Sequence, residues 1–574
     1  MGRPAAPRWA WLPEQGSWAY HFLLAATGML VLGPLAGVTA AYMNFSLGFF
    51  VGGQVLAGLL GSAVTAGYGS EGRHGANYIQ TAAASVASMS GMGVLVQAMV
   101  WMGLPQPPAW HLVAYFVCIG MFGVGVGMLY TPVLVDRLRL AFPSGLAVAN
   151  ILRALTDTVL LRRSVGQLGS GAALGLAGGL AATRIAFLGA IEFSASTFGA
   201  GMVVGARIGV PAVIGGLLGW ATQPFFVSIG WLATGDPFRK IMFLIALGTI
   251  MGAAAVDLAL IFWRALPGAR RQLADDPPPA DDWRRVHRGR LWLWVLAWGA
   301  ATLATGHLLL RQPLFFLALA VALVFLFALV NGISVGVSDS NPISSAFVVS
   351  IVEMAMLGLA DAGAGLMAGA ILLVSTSVAC DMQQDRSTGW RLGTPRVLQF
   401  RYQVLGILVG AVLAVVFARV FMAAYPVLAL DQTAMKAGQQ PAEWSSAMTY
   451  KFVGVLRSLT EDRPYQRTAI VIGIAIGLAI EVLRKWFKPR SFLVDAVLLP
   501  SPYALSFGGF VNLPTSLWLG AGGVVASLVG RRTPQRPGVP EDMSGTSLFG
   551  GGLIAGDALA ALAIGIAGLL ATVF

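Results

Sequence analysis

The sequence is a succession of apolar runs, each about as long as a bilayer is thick, and that feature narrows the fold before any other. About 20 consecutive apolar residues carry a helix across hydrocarbon. Such runs lie near 19–42, 45–67, 78–103, 109–133, 141–158, 167–190, 197–223 and 238–263. A second set lies near 291–310, 313–334, 342–360, 363–380, 397–424, 466–486, 505–529 and 547–572. Lipid offers no hydrogen bonds to the backbone, so spanning segments must satisfy their own, and runs this long do so as helices. The expectation is an all-α polytopic membrane protein of about 14–16 transmembrane segments. Short, glycine-interrupted runs (141–158, 197–223, 492–529) are expected to be broken or re-entrant.

Charge supports the same class. Only 11% of the 574 residues are charged, 57% are hydrophobic, and the mean hydropathy is +0.75, whereas soluble domains are nearer a quarter charged. The net charge of +12 does not point to nucleic acid, because the arginines sit at segment ends, where topology places them. Between the two sets of runs lies a polar stretch with seven arginines and three consecutive prolines, which reads as a solvated linker. The chain therefore divides into an N-terminal transmembrane half (1–263), a cytoplasmic linker (264–290) and a C-terminal transmembrane half (291–574). Counting positive charge puts the N-terminus, with Arg3 and Arg8, in the cytoplasm. The loops at Arg73, Arg137 and Arg139, and the cluster Arg484, Lys485, Lys488 and Arg490, fall on the same side. The first run, after Tyr20, is too long for a cleaved signal and is expected to stay as an anchor.

The halves echo one another at a spacing of about 290–310 residues, an arrangement transporters use. Ser85–Met89 resembles Ser377–Met382, Phe198–Gly201 resembles Phe507–Phe510, and Leu244–Gly248 resembles Leu553–Asp557. Gly171, Gly175 and Gly179 recur every four residues, as do Gly201, Gly205 and Gly209. That spacing makes a smooth face on which another helix can approach closely. Pro211 and Arg207 among the second set suit a broken helix around a midplane site.

Charge within apolar sequence is costly and usually has a task. The densest example is the stretch from Ser377 to Arg396, which contains Asp381, Gln384, Asp385, Arg386, Arg391 and Arg396. It reads as a helix leaving the membrane and turning at Ser387-Thr388-Gly389 and at Gly393-Thr394-Pro395. Asp381 and Asp385 are four apart and share a helix face, so they are expected to pair with Arg386, Arg391 or Arg396 as a cytoplasmic latch. Glu353 sits in the middle of an apolar stretch and is the expected proton carrier. Arg207, beside glycine backbone, suits a substrate carboxylate.

Enzyme signals are weak. Gly332-Ile333-Ser334-Val335-Gly336 fits G-x-S-x-G, but a nucleophile elbow needs a strand–turn–helix and the flanks here are apolar helix. The five histidines are dispersed, the two cysteines form no metal spacing, and there is no P-loop. Neither a metal nor a cofactor is expected. A secondary transporter, a membrane-embedded enzyme and a channel stay open on these grounds.

The order of residues in several segments resembles the oligopeptide transporter family, in particular its bacterial members related to the yellow-stripe-like branch. Asp381, Asp385, Arg386, Thr388, Gly389, Thr394, Pro395 and Arg396 follow one family motif. Phe142-Pro143-Ser144-Gly145-Leu146-Ala147 is similar to a Tyr-Pro-Ser-Gly-Thr-Ala turn. Asn77–Thr81 with Ser90–Gly93 looks like the family's third helix, and Gly199-Ala200-Gly201-Met202, Gly336–Asn341 and Gly556-Asp557 match further motifs. Phe142, Thr249 and Arg207 depart from the pattern. The resemblance implies a proton-coupled secondary importer of small peptides or peptide-like metal chelates in the bacterial plasma (inner) membrane. Substrate-binding roles fall to Gly199, Gly201, Asp339, Asn341 and Asp557, within or beside the matching motifs, and to Arg207 on the chemical ground given above. Gate or motif roles fall to Asp381, Gln384, Asp385, Arg386, Gly389, Pro395, Arg396, Pro143, Ser144 and Gly145. Protons, lipid and the substrate are the partners, and a homodimer is compatible with this reading.

Overall fold

A computed structural model describes residues 9–574 apart from 10, 47–53, 257–281, 433–445, 458–464, 488–490, 511–512, 533–543, 574 and some single positions. The described chain is helical, with no strand among the described residues. The first half contains α1 (Trp18–Ala26), α2 (Gly33–Ser46), α3 (Gln54–Thr65), α4 (Gly72–Ser90), α5 (Gly93–Trp101) and α6 (Ala109–Thr131). It continues through α7 (Pro143–Thr156), α8 (Thr158–Ala182), α9 (Ala195–Val204), α10 (Ala206–Ser228) and an unlabelled helical stretch, Leu244–Ala253. The second contains α11 (Arg288–Ala304), α12 (Leu314–Ser338), α13 (Ile343–Met356), α14 (Ala362–Leu392) and α15 (Arg396–Ala424). Then follow α16 (Ala447–Arg457), α17 (Tyr465–Phe487), α18 (Pro502–Phe510), α19 (Leu513–Arg532) and α20 (Gly545–Val573). Among the described residues nine helices are long and apolar enough to cross a membrane, and Ala195–Val204, Leu244–Ala253 and Ala346–Met356 are shorter apolar helices. The chain is thus an all-α polytopic membrane protein. The proposed linker lies largely outside the described residues, as does Asp339.

Glycine faces organise the packing, and they do so in matched pairs. On α6, a Cβ at Gly123 or Gly127 would come 2.7 Å from Ser375 Cα and 2.9 Å from Ala379 Cα of α14. On α15, Gly406 and Gly410 meet the carbonyls of Ala82 (2.5 Å) and Val86 (2.8 Å) of α4 in the same way. On α8, Gly171 and Gly175 lie against the carbonyls of Phe549 and Leu553 of α20, while Gly552 and Gly556 of α20 lie against Leu168 and Ala172. The mirror arrangement joins α17 to Leu244–Ala253: Gly473 and Gly477 against Ile245 and Thr249, Gly248 and Gly252 against Ile470 and Ile474. A third set crosses the broken segments. Gly201 meets Leu519 and Gly522 meets Phe198, as Gly508 meets Ala212 and Gly215 meets Leu505. Along each helix a constant offset leads to its counterpart (Gly123 to Gly406 and Gly127 to Gly410, Gly171 to Gly473 and Gly175 to Gly477, Gly201 to Gly508), although the offset differs from helix to helix; an internal two-fold with connections of unequal length produces this pattern.

That contact register corrects the repeat read from sequence. It pairs Ala82 with Ser375 and Val86 with Ala379, so Ser88 falls opposite Asp381 and not Cys380. Ser88 Oγ in fact donates to Asp381 Oδ2, and equivalent residues touch where a two-fold axis passes.

The breaks fall where glycine permits them. α9 ends at Gly205, whose φ of 77° suits a residue without Cβ, and the freed Ala206 N donates to Ser527 Oγ at 3.0 Å. By its amphipathic pattern the stretch 443–459 reads from sequence as an interfacial helix. The structure instead buries α16: Met448, Phe452, Val453 and Leu456 are in the core, and the Phe347 and Phe452 rings are 4.2 Å apart. The G-x-S-x-G stretch lies inside continuous α12, with Ser334 buried, so the nucleophile-elbow geometry is absent there.

Candidate functional site

Among the described membrane-crossing helices, the spans containing α4 and α14 are the most enclosed, almost wholly buried where α10 is mostly exposed. α14 does not leave the bundle at its polar motif. It starts at Asp361, whose side chain accepts from Ala364 N at 2.6 Å. It runs 31 residues without a turn at Ser387-Thr388-Gly389 and stops only at Gly393, which takes the left-handed conformation at φ 73°. The motif is therefore a buried helix and not a membrane-edge loop. The physical reason is that its polar residues find partners on neighbouring helices, so the chain need not reach water for them.

Those partners form one network across α4, α14 and α15. Asn77 Nδ2 donates to Gln80 Oε1 (2.8 Å), and Gln80 Nε2 donates to Asp385 Oδ1 (3.0 Å). Gln399 Nε2 donates to Asn77 Oδ1 (2.7 Å) and to Asp385 O (2.9 Å). Arg386 Nη1 donates to Gln399 Oε1 (3.2 Å) and to Arg396 O. About two turns away Ser88 Oγ lies 3.0 Å from Ser377 Oγ. Thr131 Oγ1 donates to Gln383 Oε1 (3.0 Å), tying α6 to the same helix.

The Pro-Ser-Gly turn opens α7 against this helix. A Cβ at Gly145 would strike Gln384 O, and Thr388 Oγ1 donates to Gly145 O at 2.9 Å. Gly389 likewise makes room for the Gln399 amide. Pro395 caps α15. Arg396, only 3% exposed, holds Asp136 through two hydrogen bonds of 3.0 and 2.7 Å. This replaces the expected latch, in which Arg396 would meet Asp381 or Asp385. Arg391 donates to Ser387 and, at 3.0 Å, to Ala141 O.

The other expected site residues lie elsewhere. Arg207 is 56% exposed in the first turn of α10 and pairs with Asp495 at 2.9 Å, which Arg484 also holds at 2.8 Å; it is not a buried cation beside the glycine break. Gly199 and Gly201 are packing positions, against Gly550 (2.6 Å) and Leu519. Asp557 Oδ2 accepts from Ser196 N at 2.9 Å and so caps the N-terminus of α9. Asn341 precedes α13, with its Oδ1 unpartnered among the described residues. Glu353 stands in the last turn of α13, not mid-span, and its Oε2 has no partner there. Among the described residues no cluster of three metal-ligating side chains occurs. Asp136 and Gln399 are not singled out from sequence, where their only signal is a carboxylate or an amide in or beside an apolar run; Gln80 is noted only as part of the Asn77–Thr81 motif, without a role.

The profile described as OPT oligopeptide transporter protein matches residues 22–189 and 280–567. The chain belongs to the oligopeptide transporter family. It is 21% identical to a Haemophilus influenzae protein named as an oligopeptide transporter, over 90% of this chain and 91% of that one. It is 22% identical to an Arabidopsis thaliana protein named as a metal-nicotianamine transporter, over 58% of this chain and 56% of that one. The first match covers most of both chains and so takes in parts of both halves. The motifs on α4, α7, α14 and α20 that carry the resemblance are those that build the packed centre.

Proposed function

We propose that this protein is a proton-driven secondary importer of small peptides or peptide-like metal chelates, without catalytic activity, in a bacterial plasma membrane with its N-terminus in the cytoplasm. The observation that carries the reading is the buried polar network of α4, α14 and α15 at the two-fold seam of a family transporter. A symmetric seam between two halves is where rigid-body rocking exposes one site to either side in turn. Arg396 with Asp136 closes one end of that seam, and breaking and remaking such a pair is the motion that access to the site requires. The relatives' names supply the substrate classes.

Glu353 is the proposed proton carrier. Its carboxylate has an unpartnered oxygen in an apolar helix end, so its charge depends on what approaches it. Glu353→Gln fixes the protonated form. In proteoliposomes it should lose accumulation driven by an acid exterior far more than it loses substrate exchange. A variant that still concentrates substrate as the native protein does removes Glu353 from this role, and an enzyme or an open channel would show no such split.

A further inference from the structure

We propose that Asp385 and Arg386, at the centre of α14, form the binding site for the two ends of a small zwitterion. The ligand's free carboxylate docks on Arg386 Nε and Nη2, and its ammonium group on Asp385 Oδ2. This deepens the transport reading above and rests on it.

Three observations carry it. The first is unmet capacity. Arg386 and Asp385 are each 1% exposed. Arg386 Nη1 is occupied by Arg396 O and Gln399 Oε1, but Nε and Nη2 have no acceptor among the described residues. Asp385 Oδ1 takes the Gln80 amide, while Oδ2 has no donor there. The two side chains make no ion pair with each other within the described contacts. Burying either charge without full satisfaction is costly, so these unpartnered atoms call for a group that the described side chains do not supply.

The second is chemical fit. Nε and Nη2 of one guanidinium present two parallel N–H groups, the fork that receives a carboxylate bidentately. The half-satisfied carboxylate one residue away offers what an ammonium needs. The remaining polar contacts of the pair, from Gln80, Gln399 and the Arg396 carbonyl, hold both groups in place without using the unpartnered atoms, and Asn77 ties the two glutamines together.

The third is an internal control. The register that sets Ser88 opposite Asp381 sets Met92 opposite Asp385 and Gly93 opposite Arg386. Both of those residues are buried. The first half thus fills the equivalent place with a methionine and a glycine. Packing at that depth does not call for charge, and only one half carries it. A site with one copy of the pair also gives the bound ligand a single orientation in a nearly symmetric seam.

The test uses full-length protein in proteoliposomes and counterflow of a labelled dipeptide, alanyl-alanine, together with its C-terminal amide and its N-acetyl form. The native protein should prefer the free acid to the amide by about tenfold or more. In Arg386→Gln the free acid should fall to the level of the amide, bringing that ratio near one, and Arg386→Lys should restore part of it. Asp385→Asn should collapse the ratio of dipeptide to N-acetyl dipeptide while the acid-to-amide ratio stays. Equal uptake of acid and amide by the native protein overturns the site, whatever the variants do, and leaves the transport reading standing. So does an Arg386→Gln protein that lowers acid and amide in proportion. If Arg386→Gln does not reach the membrane, the native preference and the Asp385→Asn ratios decide. No uptake of any peptide or chelate by the native protein overturns the transport reading, and the site falls with it.

Discussion

Arg396 and Asp136 are the charged pair on which the account leans most at the level of single residues. Arg396 is nearly fully buried and Asp136 is 22% exposed, with two short hydrogen bonds between them. Removing one partner leaves the other charge uncompensated, a loss of about 3–5 kcal/mol for buried pairs. Arg396→Gln should therefore lower the thermal stability of the detergent-solubilised protein sharply. The double variant Arg396→Gln with Asp136→Asn should recover much of it, and additive losses would show that the pair is not coupled. Sequence reasoning saw Arg396 but not its partner, because Asp136 sits beside Arg137 and Arg139, whose charges read as topology. It also took Arg207 for a buried cation, since only the fold brings Asp495 and Arg484 to it. Partners far apart in the chain are the part of a site that spacing alone does not encode.

Among the elements, the glycine-faced helix pairs make the sharpest prediction. Gly175 on α8 and Gly477 on α17 lie against backbone carbonyls in two contacts related by the internal two-fold. Gly175→Val and Gly477→Val should each destabilise by about 1–3 kcal/mol through overpacking, and by similar amounts, read as thermal unfolding of the purified protein. Gly169, on the same helix with nothing within 4 Å of a built Cβ, is the control: Gly169→Ala should be neutral or slightly stabilising. Unequal effects at the two related glycines would argue against the repeat. The four-residue glycine spacing on α8 was legible because close approach leaves its mark on a single helix. The register between the halves was legible only to within a few residues, since small residues match by chance. The end of α14 was misread for a different reason: Thr-Gly and Gly-Thr-Pro look like turns, yet Gly389 is where Gln399 packs and only Gly393 ends the helix.

At the scale of the whole molecule, apolar run length made the all-α membrane class plain, because hydrocarbon leaves the backbone few choices. The placement of arginine predicts a cytoplasmic linker, and the structure sets the end of that linker beside the end of α14, with Arg284 6.0 Å from the Trp390 ring. A cysteine introduced in 265–290 should accordingly be labelled from the cytoplasm alone, against a low background, since Cys118 and Cys380 are both buried. Labelling from outside intact cells would invert the topology. What sequence could not supply is which buried charges keep unpartnered atoms, as this depends on three helices meeting. The central claim is that a proton gradient drives substrate through the seam between the halves. It is tested most directly by native protein in proteoliposomes without ATP, given an acid exterior and a labelled dipeptide or chelate. The account predicts accumulation above the outside concentration, abolished by a protonophore. Uptake that needs ATP, or that merely equilibrates with or without the pH gradient, would contradict it.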